Sequence, residues 1–243
     1  MEVFSKSDIG LVRSSNQDDC RFGVFSPSCA WAVVCDGMGG AKSGNVASTL
    51  ACDMFTQEMK DAWNGDLESE KFRSALHNAV KTANFTVYDQ AQQFPEFSGM
   101  GTTLVAAIVQ PKKCVVVNVG DSRAYRINPD GITQITQDHS LVQMMVDRGE
   151  ITPEQAKVNP SKNLITRAVG TEPAVICDIF PVKLEKGDYL LLCSDGLTNL
   201  LDDQEILFEV VHGGQADDCC VRLLEIAKKR GAPDNVTCIL VSV

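Results

Sequence analysis

Residues 102–136 read TTLVAAIVQPKKCVVVNVGDSRAYRINPDGITQIT. Short runs rich in Val, Ile and Ala are separated by turn residues, the pattern of successive strands. The spacing predicts strands over 102–109, 113–119, 122–127 and 132–136, with turns at Gln110-Pro111-Lys112 and Asn128-Pro129-Asp130-Gly131. Loops this short imply antiparallel neighbours, because a parallel pair requires a long crossover.

The flanking sequence extends this reading. Strands are expected near 2–9, 20–25 and 30–35, then 176–182, 188–193 and 236–243. Between residues 43 and 63 the apolar positions change to helical spacing at Val46, Ala47, Leu50, Ala51, Met54 and Met59. A polar break at Asn64-Gly65-Asp66 precedes a second helix, from Phe72 to Ala91, that Pro95 terminates. Helical patterns recur at 203–212 and 215–230. Residues 137–172, with short helical patterns at 141–148 and 153–158, read as an irregular lobe beside the sheet. Strands cluster with strands and helices with helices, so the class is α+β with mostly antiparallel sheets. No linker composition divides the chain, and residues 1–243 read as one domain.

The chemistry lies at the ends of the apolar runs. Asp36 follows AWAVVC, Asp121 follows VVVNVG, Asp195 follows YLLLCS, and Asp234 precedes NVTCILVSV. Four carboxylates converging on one rim would resist ionisation unless a cation neutralised them. Oxygen ligands without His or Cys suit hard ions such as Mg²⁺ or Mn²⁺, and such centres commonly act on phosphate. Asp36-Gly37-Met38-Gly39-Gly40 permits a tight turn in which the Gly37 carbonyl can add a ligand. Asp18 is a further candidate ligand, direct or through water, whereas Asp19 reads as a surface acid. Arg13 is suited to gripping a phosphate bidentately; the alternative is a surface arginine paired with an acid.

Composition narrows the partners. The net charge of −10 argues against nucleic acid or an anionic membrane. The amino terminus lacks the apolar core of a signal peptide, and the longest apolar runs are too short to cross a bilayer. Ten cysteines without a CxxC pair, several inside strand patterns, read as reduced core residues and point to the cytoplasm.

Eight segments carry a family resemblance: GLVRSSNQDD (10–19), VCDGMGGAKSG (34–44), SGMGTTLVAAIV (98–109), VNVGDSRAYRI (117–127), TQDHSL (136–141), LITRAVG (164–170), LLLCSDGL (190–197) and PDNVTCILV (233–241). In this order and spacing they resemble the metal-dependent protein phosphatases of the 2C type, in their compact bacterial form. The resemblance implies a central sandwich of two antiparallel sheets flanked by paired helices. It also implies hydrolysis of phosphoserine and phosphothreonine in proteins by water shared between two Mn²⁺ or Mg²⁺ ions, opposing a serine/threonine kinase, and a monomeric enzyme.

By the same resemblance, Asp36 bridges both ions and the Gly37 carbonyl binds one. Asp195 and Asp234 hold the other, Asp18 acts through water, and Arg13 grips the phosphoryl group. Asp121 with Asp195 holds a third, weaker ion, and residues 140–170 form a flap that touches protein substrates. No protein nucleophile is required. Many eukaryotic relatives carry a histidine general acid where this chain has Met38, which cannot donate a proton. His139 can substitute only if it reaches the site; otherwise it is a structural residue near the flap. His77 and His212 lie in helical patterns and read as surface or packing residues. A non-catalytic binding module on the same fold is the alternative, disfavoured because every candidate ligand is present.

Overall fold

The computed structural model describes residues 1–40 and 43–243, so Ala41 and Lys42 of the DGMGGAKSG motif lie outside the described residues. Two antiparallel sheets stack face to face. One has the order β1-β11-β10-β7-β8, formed by Glu2–Asp8, Val236–Ser242, Tyr189–Cys193, Arg123–Asn128 and Gly131–Gln134. The other has the order β2-β3-β5-β6-β9, formed by Asp18–Ser26, Cys29–Met38, Leu104–Gln110, Lys113–Val119 and Asp178–Lys183, with β4 (Gly101–Thr102) attached to β3.

The central strands are apolar on both faces because both faces are covered. On β3, Ala30, Ala32 and Val34 pack between the sheets, while Trp31, Val33 and Cys35 pack against α1 (Gly44–Ala62) and α2 (Glu70–Gln93). On β10 and β11, Leu190, Leu192, Ile239 and Val241 enter the inter-sheet core. Leu191, Cys193, Cys238 and Leu240 face the opposite helical layer, α6 (Asp203–His212) and α7 (Cys219–Lys229). The sandwich flanked by helices is the expected class. All ten cysteines are free thiols, and all but Cys20 are buried.

Three local expectations are corrected. First, β6 and β7 do not pair, although only Gly120-Asp121-Ser122 separates them: β6 joins β5 and β9, and β7 joins β10 and β8. Stacked sheets are about 10 Å apart. Four residue steps at about 3.3 Å can span that gap, so the short segment crosses between layers instead of turning back. Second, β3 runs on past Asp36, which is still paired with β2, to Gly37 and Met38, which pair with β4, and that strand breaks from β5 at Thr103. Third, the last long helix begins at Cys219 after a 3₁₀ turn at Ala216–Asp218, and a short helix α5 (Asp195–Thr198) follows β10.

The lobe at 137–172 contains α3 (Leu141–Asp147) and α4 (Pro153–Lys157). Its base is closed by bridges between Ser140 and Ile165 and between Thr102 and Val169.

Candidate metal centre

The acidic residues collect at one end of the sandwich, supplied by both sheets. Asp18 and Asp36 are opposed partners in the β2–β3 ladder. Asp195 opens α5 at the end of β10, and Asp234 stands just before the neighbouring β11. Asp121 lies on the crossing from β6 to β7. A cavity of about 310 Å³ is lined by Arg13, Asp36, Gly37, Asp121, Asp195 and Asp234, joined by Gln17, Met38, Gly39, Thr103, Asn163 and Ile165. Asp18 is buried outside that lining.

These carboxyls are held away from their ordinary range. Burial, then the fields of Asp18, Asp195, Asp121 and Asp234, pushes Asp36 well up. Burial raises Asp18 to about 7, against the relief of hydrogen bonds from Ser194 and Thr237. Burial followed by the charge of Asp195 raises Asp121 to about 8. Asp195 is raised by burial and by Asp234, with partial relief from Asp36 and Asn199. Like charges in a desolvated site favour protonation, and a divalent cation reverses that preference.

The donor set fits such a cation. Every candidate donor is a carboxylate or carbonyl oxygen, and buried Asp18 Oδ1 and Asp195 Oδ1 have no hydrogen-bond partner among the described residues. Among the described residues, no three acidic, His or Cys side chains are drawn into a closed ion cage. Two of the carboxylates are tied elsewhere: Ser194 Oγ donates to Asp18 Oδ2 at 2.7 Å, and Arg13 Nη2 donates to Asp234 Oδ2 at 2.8 Å. Arg13 thus sits at the mouth of the site as half of an exposed ion pair.

Neighbours that the sequence reading missed hold the backbone in place. The Asp36 N–H donates to Thr103 Oγ1 at 2.9 Å, and the Asp36 carbonyl accepts from both Thr103 N and Thr102 Oγ1. Thr103 Oγ1 in turn meets Ser122 Oγ at 2.7 Å, linking Asp36 to the Asp121 crossing. A Cβ on Gly37 would come within 2.0 Å of the Gly44 carbonyl, so only glycine lets α1 start this close to the site. Asn235 accepts from Gln17 N and donates to the carbonyls of Ile9 and Ser15, fastening the loop that carries Arg13. The Asn of PDNV and the paired threonines of MGTTL were visible signals for these roles. No local signal marked Asn163 or Ile165, which the lobe brings to the cavity.

Asp19 turns away, accepting from Thr49 Oγ1 at 2.8 Å and pairing with Arg21. Met38 lines the cavity, but His139 does not: its ring bonds with Gly120 and Asp178. His77 is exposed on α2 beside Cys177, and His212 ends α6 near Phe208. Beyond Asp121 and Asp195 the cavity opens into a groove of about 590 Å³ between α3–α4 and α5–α6. Among the described residues, no helix is long and apolar enough to cross a membrane.

Residues 12–240 match the family model described as protein phosphatase 2C. The serine/threonine phosphatase stp of Listeria innocua is 36% identical over 99% of this chain and 95% of its own. The crystal structure of the serine/threonine phosphatase Stp1 from Staphylococcus aureus superposes with a TM-score of 0.92 at 40% identity, covering 100% of this chain and 94% of the other. The catalytic domain of the serine threonine protein phosphatase PstP, solved in complex with two manganese ions, superposes with a TM-score of 0.85 at 35% identity, covering 98% and 96%. By sequence and by fold, the chain belongs to the protein phosphatase 2C family.

Proposed function

We propose that the protein is a metal-dependent protein serine/threonine phosphatase that hydrolyses phosphoserine and phosphothreonine in proteins. The observation that carries this reading is the cavity itself: Asp36, Asp121, Asp195 and Asp234 line it beside a single cationic side chain, Arg13, among the described residues. In this reading Asp36 and the Gly37 carbonyl would hold one Mn²⁺ or Mg²⁺ ion, and Asp195 and Asp234 would hold a second, with Asp36 shared between them. Asp18 would act through water, and Asp121 with Asp195 would hold a third ion. Bound there, the ions lower the pKa of an attacking water and draw charge from the phosphoryl oxygens.

The chain's own residues do the rest. Arg13 is exposed at the mouth of the cavity, where its guanidinium is suited to grip two phosphoryl oxygens as charge spreads onto them. Thr103 carries the only hydroxyl lining the cavity among the described residues, and that hydroxyl is engaged by Asp36 N and Ser122. No cysteine lines it. In this reading the four aspartates would be occupied as ion ligands, which leaves water as the nucleophile. Every ligand in this scheme comes from one chain, which supports a site complete in a monomer. The pairing of β1 with β11 supports one phosphatase domain over 1–243, with the lobe near 140–170 as its flap. The enzyme opposes a serine/threonine kinase.

The test is phosphate release from a phosphoserine peptide by the metal-stripped protein, before and after adding Mn²⁺. Turnover that appears only with the ion is expected. Equal turnover in a chelator, with metal absent by elemental analysis, would refute the assignment.

A further inference from the structure

His139 belongs to the TQDHSL segment, yet nothing in the proposed chemistry uses it. Its surroundings are unusually complete. The His139 backbone N–H donates to the Gly120 carbonyl at 2.9 Å, and the Gly120 N–H donates back to His139 Nδ1 at 3.0 Å. One residue thereby holds both polar groups of the glycine that precedes Asp121. Asn118 Nδ2 adds a second donor to the same carbonyl at 3.2 Å.

Because Nδ1 accepts, the ring proton lies on Nε2, which donates to Asp178 Oδ2 at 3.0 Å. Arg167 Nη1 also stands 3.0 Å from Nε2, but two donors cannot bond each other. Its hydrogens go to Asp178 Oδ1 at 3.1 Å and the Ile176 carbonyl at 3.2 Å. Burial lowers the imidazole's pKa, which keeps the ring neutral and Nδ1 an acceptor. Gly120 itself has φ +107°, and a Cβ there would meet Thr103 Cγ2 at 2.6 Å. Only glycine fits this turn, and glycine does not restrain its own backbone, so the hydrogen bonds that hold Gly120 set the direction of the Asp121 that follows it.

We infer that His139, oriented by Asp178, is a positioning residue that sets the Asp121 carboxylate at the metal centre and ties it to the base of the flap. The tie to the flap is covalent and hydrogen-bonded: Ser140 follows His139 and caps α3, and Thr166 N donates to the His139 carbonyl at 2.7 Å. The inference rests on the reading of Asp121 as a ligand, which the same experiment tests separately.

The experiment is Mn²⁺ binding to the full chain without substrate, with free Mn²⁺ counted by electron paramagnetic resonance. Wild type is compared with Asp121→Asn, His139→Asn, His139→Gln and Asp178→Ala, and the folding of each ion-free variant is checked by circular dichroism. Asp121→Asn should weaken the loosest class of bound ion and spare the tighter ones. His139→Gln should weaken that same class by about tenfold, as loss of an outer-sphere support does. The glutamine can reach Asp178 but presents no acceptor at the Nδ1 position. His139→Asn, whose Oδ1 falls near Nδ1, should restore most of the affinity. Should His139→Gln fail to fold, Asp178→Ala decides, since Asp178 is at the surface and its loss releases the ring; a weakened loose class is again expected.

If Asp121→Asn weakens the loose ion but the folded His139→Gln or Asp178→Ala does not, the inference falls and the ligand reading stands. Equal loss in His139→Asn and His139→Gln also overturns it, because the Gly120 hydrogen bond would then not be the determinant. If Asp121→Asn leaves every ion bound as in wild type, the ligand reading of Asp121 fails and the inference falls with it.

Discussion

Asp18 and Asp36 face each other directly across the β2–β3 ladder, two carboxylates at a position where like charges oppose pairing. The backbone ladder forces them together. The fold therefore contains an electrostatic cost that only protons or a cation can remove.

That cost sets a pH dependence for the ion-free protein. Asp18 and Asp121 have folded values of about 7 and about 8, both above the ordinary 3.8. The fold then binds protons more tightly than the unfolded chain, so this stability is present at low pH and lost as pH rises through about 7 to 8. In EDTA the melting temperature should fall between pH 5.5 and 8.5. Mn²⁺ should raise it more at the alkaline end, where ions no longer compete with protons. Scanning calorimetry with and without the ion tests both signs; a melting temperature that climbs with pH in EDTA would contradict them.

Asp36→Asn should separate stability from activity. Turnover should drop about 100- to 1,000-fold or more, the scale for losing one preorganised electrostatic element. The ion-free variant should melt no lower than wild type, since a repelled carboxyl has been replaced by a neutral amide. A clear loss of thermal stability in EDTA would show that the carboxylate is structurally favourable, contrary to its surroundings.

Arg13→Ala should cost about 2–4 kcal/mol in kcat/KM toward a phosphopeptide, the scale of a lost charge-assisted bidentate contact. Folding stability should change by less than about 1 kcal/mol, because the Arg13–Asp234 pair is exposed and screened. Steady-state kinetics beside a denaturant melt resolve the two. An effect on kcat/KM below about 0.5 kcal/mol would leave Arg13 as a surface partner of Asp234.

Asn235→Ala removes one acceptor and two donated hydrogen bonds that fasten loop 9–17. Loss of these part-buried bonds should destabilise the protein by about 1–2 kcal/mol and raise KM through the freed Arg13 loop. Urea melts and phosphopeptide kinetics measure both; a variant of wild-type stability would mean that water replaces the amide.

The local pattern of the chain determined a large part of this protein. Continuous apolar runs at 30–35, 104–109 and 190–193 specify buried strands, since each is covered on both faces in the folded molecule. Helical periodicity located α1 and α2 to within two residues at their outer ends. Acidic residues at the ends of those runs were legible because strand ends necessarily lie at the rim of a core. Six of the seven candidate residues, Arg13, Asp36, Gly37, Asp121, Asp195 and Asp234, do line one cavity, and Asp18 opposes Asp36 beside it.

Other features depend on which layers meet. A three-residue link looks the same whether it turns back or crosses to a second sheet, and only packing of the two sheets carries Gly120-Asp121-Ser122 across. Arg13 and Asp234 are 221 positions apart and adjacent only because β1 pairs with β11. The clamp of His139 on Gly120, and the arrival of Asn163 and Ile165 at the cavity, likewise require the lobe to fold back onto the sheet. Periodicity reports a residue's own neighbourhood along the chain; partners brought together by tertiary packing leave no trace in it.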